Sequence, residues 1–315
     1  ISLLISYVIT TNSTKIADEL KIFDIPKKNS IHSKLIPKTG GLIIFLILII
    51  NYLILIFVQN ELIDNTIQII CLSLIFFTGL IDDSKNLNPW LRIILIILIS
   101  LILISSNNEI YVIKELIFHN FWDESLYLKD YSYVFTIFCI LVFYNAYNFI
   151  DGIDGLAIAV AIVWILMIPL SIRENILIFS SLIVILFFNL QNKIFLGNSG
   201  TSILSFFIGM NYIKYYNVSK FLYADQILIF FLIPGLDLIR LFITRLIKKR
   251  SPFQGDLDHL HHLMFQYFYS SKKALLSYLL LLISPIILSI FTAIKSLYIV
   301  ISFTIFYFLL LIFLK

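Results

Sequence analysis

Four clusters of polar residues interrupt an otherwise apolar chain: Asp82-Asp83, Asn145 to Asp154, Gly197 to Gly200, and Asp256 to His262. Carboxylates, amides and imidazoles at the ends of apolar runs are costly and by default mark function. Adjacent acids such as Asp82-Asp83 can hold a divalent cation, orient a lysine or act as a base. The bland alternative is a solvated turn, for which the following Asn86-Leu87-Asn88-Pro89 is suitable chemistry. Acids at a helix C-terminus oppose the macrodipole, however, which favours the chemical reading. Asn145 and Asn148 stand three apart, on one helical face, and Asp151 continues that line. Asp154 follows, and Gly152 and Gly155 permit a turn and close backbone approach.

The third cluster, Phe195-Leu196-Gly197-Asn198-Ser199-Gly200-Thr201, opens an apolar run. Free N–H groups and the positive end of a helix there predict an anion site suited to phosphate. An ordinary N-cap by Ser199 or Thr201 is the alternative. The fourth cluster follows the basic run Arg245, Lys248, Lys249 and Arg250, and reads Asp256-Leu257-Asp258-His259-Leu260-His261-His262. Its spacing does not match the zinc pattern His-Glu-x-x-His, and no cysteine assists. Charge-assisted hydrogen bonds from these cations to phosphates fit better.

The elements that position these groups follow from composition. Of 315 residues, 60% are hydrophobic and 13% charged, with mean hydropathy +0.98. Ordinary soluble domains are about 45–50% apolar. The excess comes in blocks near 1–11, 40–58, 66–81, 91–106, 132–147, 156–172, 175–189, 201–216, 225–243, 274–292 and 297–314. Only helices satisfy their backbone in lipid at these lengths. The expectation is an all-α, polytopic membrane bundle of about eleven transmembrane helices, forming one domain over 1–315. The chain opens on Ile1 with a run too short to span, so the first helix is expected to be truncated. Cys71 and Cys139 lie inside apolar runs and offer neither metal spacing nor a disulfide framework. A net charge of +4 argues against nucleic acid as a partner.

Seventeen of the 23 Lys and Arg residues fall on the side holding loops 12–39, 82–90, 190–200 and 244–273, and six on the other. Acidic residues divide ten to nine. The positive-inside rule makes the richer side cytoplasmic, with all four clusters on it. The opposite loop, 107–131, with Trp122, Tyr127 and Tyr131, reads as an interfacial belt.

These residues resemble the polyprenyl-phosphate N-acetylhexosamine-1-phosphate transferases (glycosyltransferase family 4), relatives of phospho-N-acetylmuramoyl-pentapeptide transferase. The resemblance runs from about Asp24 to Met264, through Asp24-x-Pro26, His32, Pro37-x-x-Gly40-Gly41, Asp82-Asp83, Asn145 to Leu156, Phe195 to Thr201, Pro234-x-x-Asp237 and Arg250 to His262. The His-x-His-His loop is similar to the N-acetylglucosamine branch. The resemblance implies transfer of a hexosamine 1-phosphate from a UDP-sugar to undecaprenyl or another polyprenyl phosphate, with release of UMP. It places the reaction at the cytoplasmic face of the bacterial inner membrane, for envelope polysaccharide or cell-wall synthesis, and is compatible with a homodimer. Mg²⁺ is the implied cofactor, with Mn²⁺ able to substitute.

By the same resemblance Asp82 and Asp83 are catalytic beside the lipid phosphate, and Asp151 and Asp154 are acidic groups of the nucleotide pocket. Asn148 and Asn198 stand at metal-ligand positions. Phe195 stacks on uracil, and Arg250 with His259, His261 and His262 holds sugar and diphosphate. Asn145 and Asp256 complete the expected substrate-binding set. Two departures stand out. The family usually has Asp where this chain has Asn198, and losing that charge should weaken metal binding. An Arg-Lys pair is replaced by Asn29-Ser30. A weakened paralogue is therefore one alternative. A transporter is another, although it would require ionisable groups at mid-membrane.

Overall fold

A computed structural model describes residues 1–26, 34–59, 62–121, 125–219, 222–249 and 258–314. His32, Asn29, Ser30, Trp122, Arg250 and Asp256 lie outside the described residues. Helices dominate: α1 (Ser2–Thr11), α2 (Ser13–Leu20), α3 (Gly40–Gln59), α4 (Leu62–Lys85), α5 (Pro89–Ser106), α6 (Asn108–Tyr111), α7 (Ser132–Ile150), α8 (Leu156–Leu166), α9 (Ile172–Asn189), α10 (Gly197–Ser219), α11 (Ala224–Phe230), α12 (Leu232–Ile247), α13 (Leu260–Phe268), α14 (Ser271–Phe291) and α15 (Ser296–Leu314). Two small antiparallel ladders depart from the all-α expectation. They pair β1 (Phe23–Asp24) with β2 (Ile36–Pro37), and β3 (Glu115–Leu116) with β4 (Leu126–Tyr127).

Helices occupy all eleven apolar runs, but eleven crossings are not established. Among the described residues, six helices are long and apolar enough to span a membrane, or seven if α11 and α12 count as one bent span. This is the architecture of a multi-pass membrane protein. Helices α1, α8 and α9 fall short of a bilayer. Helix α10 is long enough at 23 residues, but its composition is mixed because it is the central helix. It is buried on nearly all sides and carries Ser199, Thr201, Ser202, Ser205 and Asn211 inward.

Two runs end differently from the expected spans, each at a proline. The run expected to reach 172 stops being helical at Leu166, and Pro169 follows, which disfavours helix in the residue before it. The run 225–243 breaks between α11 and α12 with a 69° bend. Pro234 has no N–H for the Phe230 carbonyl four residues back. The Trp164 indole donates to that carbonyl instead, at 3.0 Å.

Close helix contact around α10 depends on small residues, the usual device where helices cross in lipid. A Cβ on Gly79 of α4 would lie 2.5 Å from Ser199 Cα, and one on Gly41 of α3 would lie 2.5 Å from Ser199 Oγ. The N-termini of α3 and α10 are also tied by backbone. Gly40 N–H donates to the Phe195 carbonyl at 3.0 Å, Gly41 N–H to that of Leu196 at 3.1 Å, and Phe195 N–H to that of Pro37 at 2.8 Å.

Candidate active site

The polar clusters meet at the N-terminal end of α10. Asp83, at the last turn of α4, accepts the Asn198 N–H on Oδ1 and the Ser199 N–H on Oδ2, each at 2.8 Å. Gly197 makes this approach possible. Its φ is +72°, and a Cβ there would sit 2.7 Å from Asp83 Oδ2. Two of the N–H groups at this helix start, those of Asn198 and Ser199, are therefore taken by a carboxylate of the protein itself. Asp83 thus serves as the N-cap of a neighbouring helix, where its charge complements the dipole. Lys38 Nζ lies 3.6 Å from Asp83 and 3.4 Å from Asp24.

The adjacent carboxylate points elsewhere. Asp82 accepts the Leu87 N–H at 2.7 Å on Oδ1, and Arg92 Nη1 lies 3.1 Å from its Oδ2. The expected pair is thus divided. Asp83 faces α3 and α10, while Asp82 holds the turn into α5.

Helix α7 delivers the amides. Asn148 donates to Thr201 Oγ1 at 2.9 Å, and its Nδ2 lies 3.4 Å from Asn198 Oδ1. Asn145, three residues earlier, donates back to the Leu141 carbonyl at 2.8 Å. No described hydrogen bond ties Asn145 to the rest of the cluster. Beyond the end of α7, the Asp151 carboxyl is pushed up to about 7, chiefly by its enclosure and next by the Asp83 carboxylate. Lys38 opposes the shift, and Asp24 and Asp154 add to it. More than a third of Asp151 still meets solvent, which screens part of this effect. The loop 151–155 is fixed by Asn189. Its Oδ1 accepts the Gly155 N–H at 2.5 Å, and its Nδ2 donates to the Ile194 carbonyl at 3.0 Å.

The histidine segment closes over this loop. A Cβ on Gly152 would collide with His261 Nε2 and lie 2.8 Å from His262 Nε2, so only glycine admits both rings. His261 is buried, and among the described residues its Nε2 has no hydrogen-bond partner. Burial, then the neighbouring His262 and His259, holds its pKa well below the usual histidine range. The His259 ring packs on Phe149 with centroids 4.9 Å apart, and the Arg245 guanidinium lies over the same Phe149 ring at 5.4 Å. Phe195 is half-buried and held by the backbone pairing with Pro37 and Gly40.

Sequence reasoning missed Lys38, Thr201 and Arg92 as site residues. Lys38 is an unspecified position within the matched Pro37-x-x-Gly40-Gly41, and Arg92 lies ten residues beyond Asp82, but neither spacing alone signals an ion pair.

The donors fit a hard divalent cation in kind. As ligands Asp83, Asp151, Asp154, Asn148 and Asn198 offer oxygens only, and a cation would offset the neighbouring carboxylates that add to burial in raising Asp151. Among the described residues no three His, Cys, Asp or Glu side chains form a cage. Mg²⁺ commonly uses one or two carboxylates and completes its shell with water and substrate phosphates. Along the C-terminal half of α10, from Gly209 to Tyr216, helices α7, α10, α11 and α12 line an apolar cavity of about 380 Å³ that reaches from Ala146 and Pro234 to Ile113 and Phe118, and none of the site residues above lines it.

Fold and site together define a membrane-embedded protein that gathers acids, amides and imidazoles at one end of a helical bundle. The pattern of glycosyl transferase family 4 matches residues 65–216. The chain is 27% identical over 288 residues to a probable undecaprenyl-phosphate N-acetylglucosaminyl 1-phosphate transferase of Bacillus subtilis, covering 88% of this chain and 78% of that protein. It is 29% identical over 260 residues to the undecaprenyl-phosphate alpha-N-acetylglucosaminyl 1-phosphate transferase of Thermotoga maritima, covering 82% and 78%. The Yersinia pestis protein of the same name is 25% identical over 285 residues, covering 82% and 74%. Over residues 65–216 the chain is thus similar to glycosyl transferase family 4, and over most of its length to these transferases.

Proposed function

We propose that this protein transfers an N-acetylhexosamine 1-phosphate, N-acetylglucosamine 1-phosphate in the first instance, from its UDP-sugar to undecaprenyl phosphate. The observation that carries the reading is the convergence of segments far apart in sequence around Asp83, Asn148, Asp151 and His261. The names of the relatives supply the substrate class.

An oxygen of the lipid phosphate attacks the β-phosphorus of the UDP-sugar. The bond from that phosphorus to the bridging oxygen breaks, and UMP leaves with the electron pair. Phosphoryl transfer of this kind needs positioning and charge neutralisation more than covalent help. A phosphate monoester with a second pKa near ~6 is largely dianionic at neutral pH, so a strong base is unnecessary. That agrees with Asp82 and Asp83 being engaged by Arg92, Lys38 and backbone N–H groups. Asp83 orients Lys38 and the start of α10, and the cations neutralise phosphate charge. Asn148, Asn198 and Asp151 would hold the Mg²⁺, which when bound offsets charge on the diphosphate. His259 and His262 bind diphosphate and sugar, and Asp154 and Phe195 bind the nucleoside. The site faces the cytoplasm of a bacterial inner membrane in this reading, in line with the distribution of Lys and Arg.

The test is UMP release from purified protein in lipid, given undecaprenyl phosphate and a panel of UDP-sugars, with and without Mg²⁺. Lipid-dependent and metal-dependent release with one sugar is the expected result. Silence across the panel from folded protein would overturn the reading.

A further inference from the structure

The last helix reaches into the site. Helix α15 turns most of its surface outward, and its buried residues are Ser296, Ile299, Tyr307 and Leu311. Tyr307 is fully buried, and its hydroxyl has two partners, both on α12. It donates to Asp237 Oδ1 at 2.7 Å and accepts from Arg240 Nε at 3.0 Å. The same Asp237 Oδ1 receives Arg240 Nη2 at 2.7 Å, and Nη2 also donates to the Asp258 carbonyl at 2.5 Å. The other oxygen, Oδ2, faces His259 Nδ1 at 3.2 Å, and the Leu260 N–H is shared between Oδ2 at 3.2 Å and Oδ1 at 3.3 Å. One carboxylate therefore has a face held by α15 and a face that fixes both the entry to α13 and an edge of the His259 ring.

A ring nitrogen directed at a carboxylate carries its proton, and this sets which nitrogen the other edge presents. With Nδ1–H given to Asp237, Nε2 is the atom turned toward Arg245, whose Nη2 lies 3.5 Å away. Phe149 packs on the ring and resists its rotation. A phenylalanine at 307 would fill the same space, so the hydroxyl is needed only for what it does to Asp237 and Arg240.

We propose that Tyr307 is a positioning residue for His259, acting through Asp237, so that the last helix sets the tautomer and direction of an imidazole in the site. The tautomer part stands by itself; the consequence for turnover rests on the function proposed above.

The experiment uses the full chain in lipid nanodiscs with ¹⁵N-labelled histidine, the His259 resonances being assigned by their loss in His259→Gln. Wild type should show a single Nδ1–H tautomer at His259. Tyr307→Phe should give a mixture of tautomers, whereas Leu311→Ala, on the same buried face, should leave the resonances in place while lowering Tm. In UMP-release assays Tyr307→Phe should raise KM for UDP-N-acetylglucosamine about tenfold, the scale of one hydrogen bond to a charged group, with kcat little changed. Leu311→Ala should not change KM. Should Tyr307→Phe fail to fold, Asp237→Asn is to shift the same His259 resonances.

Unchanged His259 resonances in folded Tyr307→Phe would overturn the proposal, as would unchanged resonances in Asp237→Asn or an equal shift in Leu311→Ala. Wild-type protein that shows the single tautomer but releases no UMP would sink the proposed function and leave the positioning role standing.

Discussion

Both ends of α10 carry buried polar networks, about 35 Å apart by the rise of its 23 residues. At the C-terminal end Asp225 is fully buried and accepts the His119 N–H at 2.9 Å, the Asn120 N–H at 3.3 Å and the Ser296 hydroxyl at 2.6 Å. Asn120 Oδ1 accepts the Ser296 N–H at 2.9 Å. The loop at 119–120 and the start of α15 are pinned to one carboxylate by three neutral donors. At the N-terminal end, burial and then the Asp83, Asp24 and Asp154 carboxylates raise the Asp151 carboxyl, and Lys38 opposes them. There His261 Nε2 has no partner among the described residues. Satisfied networks hold a fold, whereas a local excess of charge persists where a ligand completes it. The chemistry therefore belongs to one end and the scaffolding to the other.

The sharpest way to break this distinction is Asp83→Asn. An amide cannot accept both α10 N–H groups and no longer attracts Lys38. Metal-dependent UMP release should fall about a thousandfold, the scale of losing a preorganised electrostatic group. Activity within tenfold of wild type would show that Asp83 only caps α10. The mirror experiment is Asp225→Ala, which strands three donors. Stability should fall by about 3 kcal/mol, since a charged acceptor is lost from buried partners, and Tm measured in detergent should drop by several degrees. UMP release per folded molecule should stay within about twofold. A parallel loss of turnover would erase the contrast between the ends.

How far the sequence alone carries this contrast depends on the range of the interactions involved. Asn148, Asp151 and Gly152 were legible because their spacing is local and helical. The His259 to His262 segment was legible as a run. The division of labour between Asp82 and Asp83 was not, because it depends on Arg92 from the next helix and on N–H groups 115 and 116 residues away. Tyr307 gave no signal, since a tyrosine within an apolar run reads as core or interface. The helices themselves were readable from apolar blocks. The crossings were not, since length and hydropathy cannot separate a buried central helix such as α10, or the short α8, from a lipid-facing span. The break after Phe230 could have been anticipated from Pro234, but the donor that makes it tolerable, Trp164, comes from another helix.

A smaller effect sharpens the charge excess itself. Because the folded-state value of Asp151 is raised from 3.8 to about 7, its neutral form is the favoured one in the fold. The associated stability is complete below about pH 4 and is lost as pH rises toward 7. Discounted for the solvent that reaches it, the loss should be about 1 to 2 kcal/mol. Thermal melts of chelator-treated protein should show wild type losing stability across that window relative to Asp151→Asn, whose side chain does not titrate. Adding Mg²⁺ at pH 7.5 should restore wild type more than the variant. Equal responses would place the cation away from Asp151.

The finest test concerns Asn198, whose Oδ1 lies 3.4 Å from the Asn148 amide nitrogen. Asn198→Asp would add a carboxylate to a site already crowded with them, so without metal it should lower stability. With metal the same charge should tighten binding. The Mg²⁺ concentration giving half-maximal UMP release should drop about fivefold, a modest change because an amide oxygen already coordinates hard cations. If the wild-type protein is a weakened transferase, the substitution should also raise kcat well beyond the wild-type rate. A tighter metal requirement with unchanged kcat would mean that Asn198 is compatible with full turnover, and that Asp151 and Asp83 supply the charge the reaction needs.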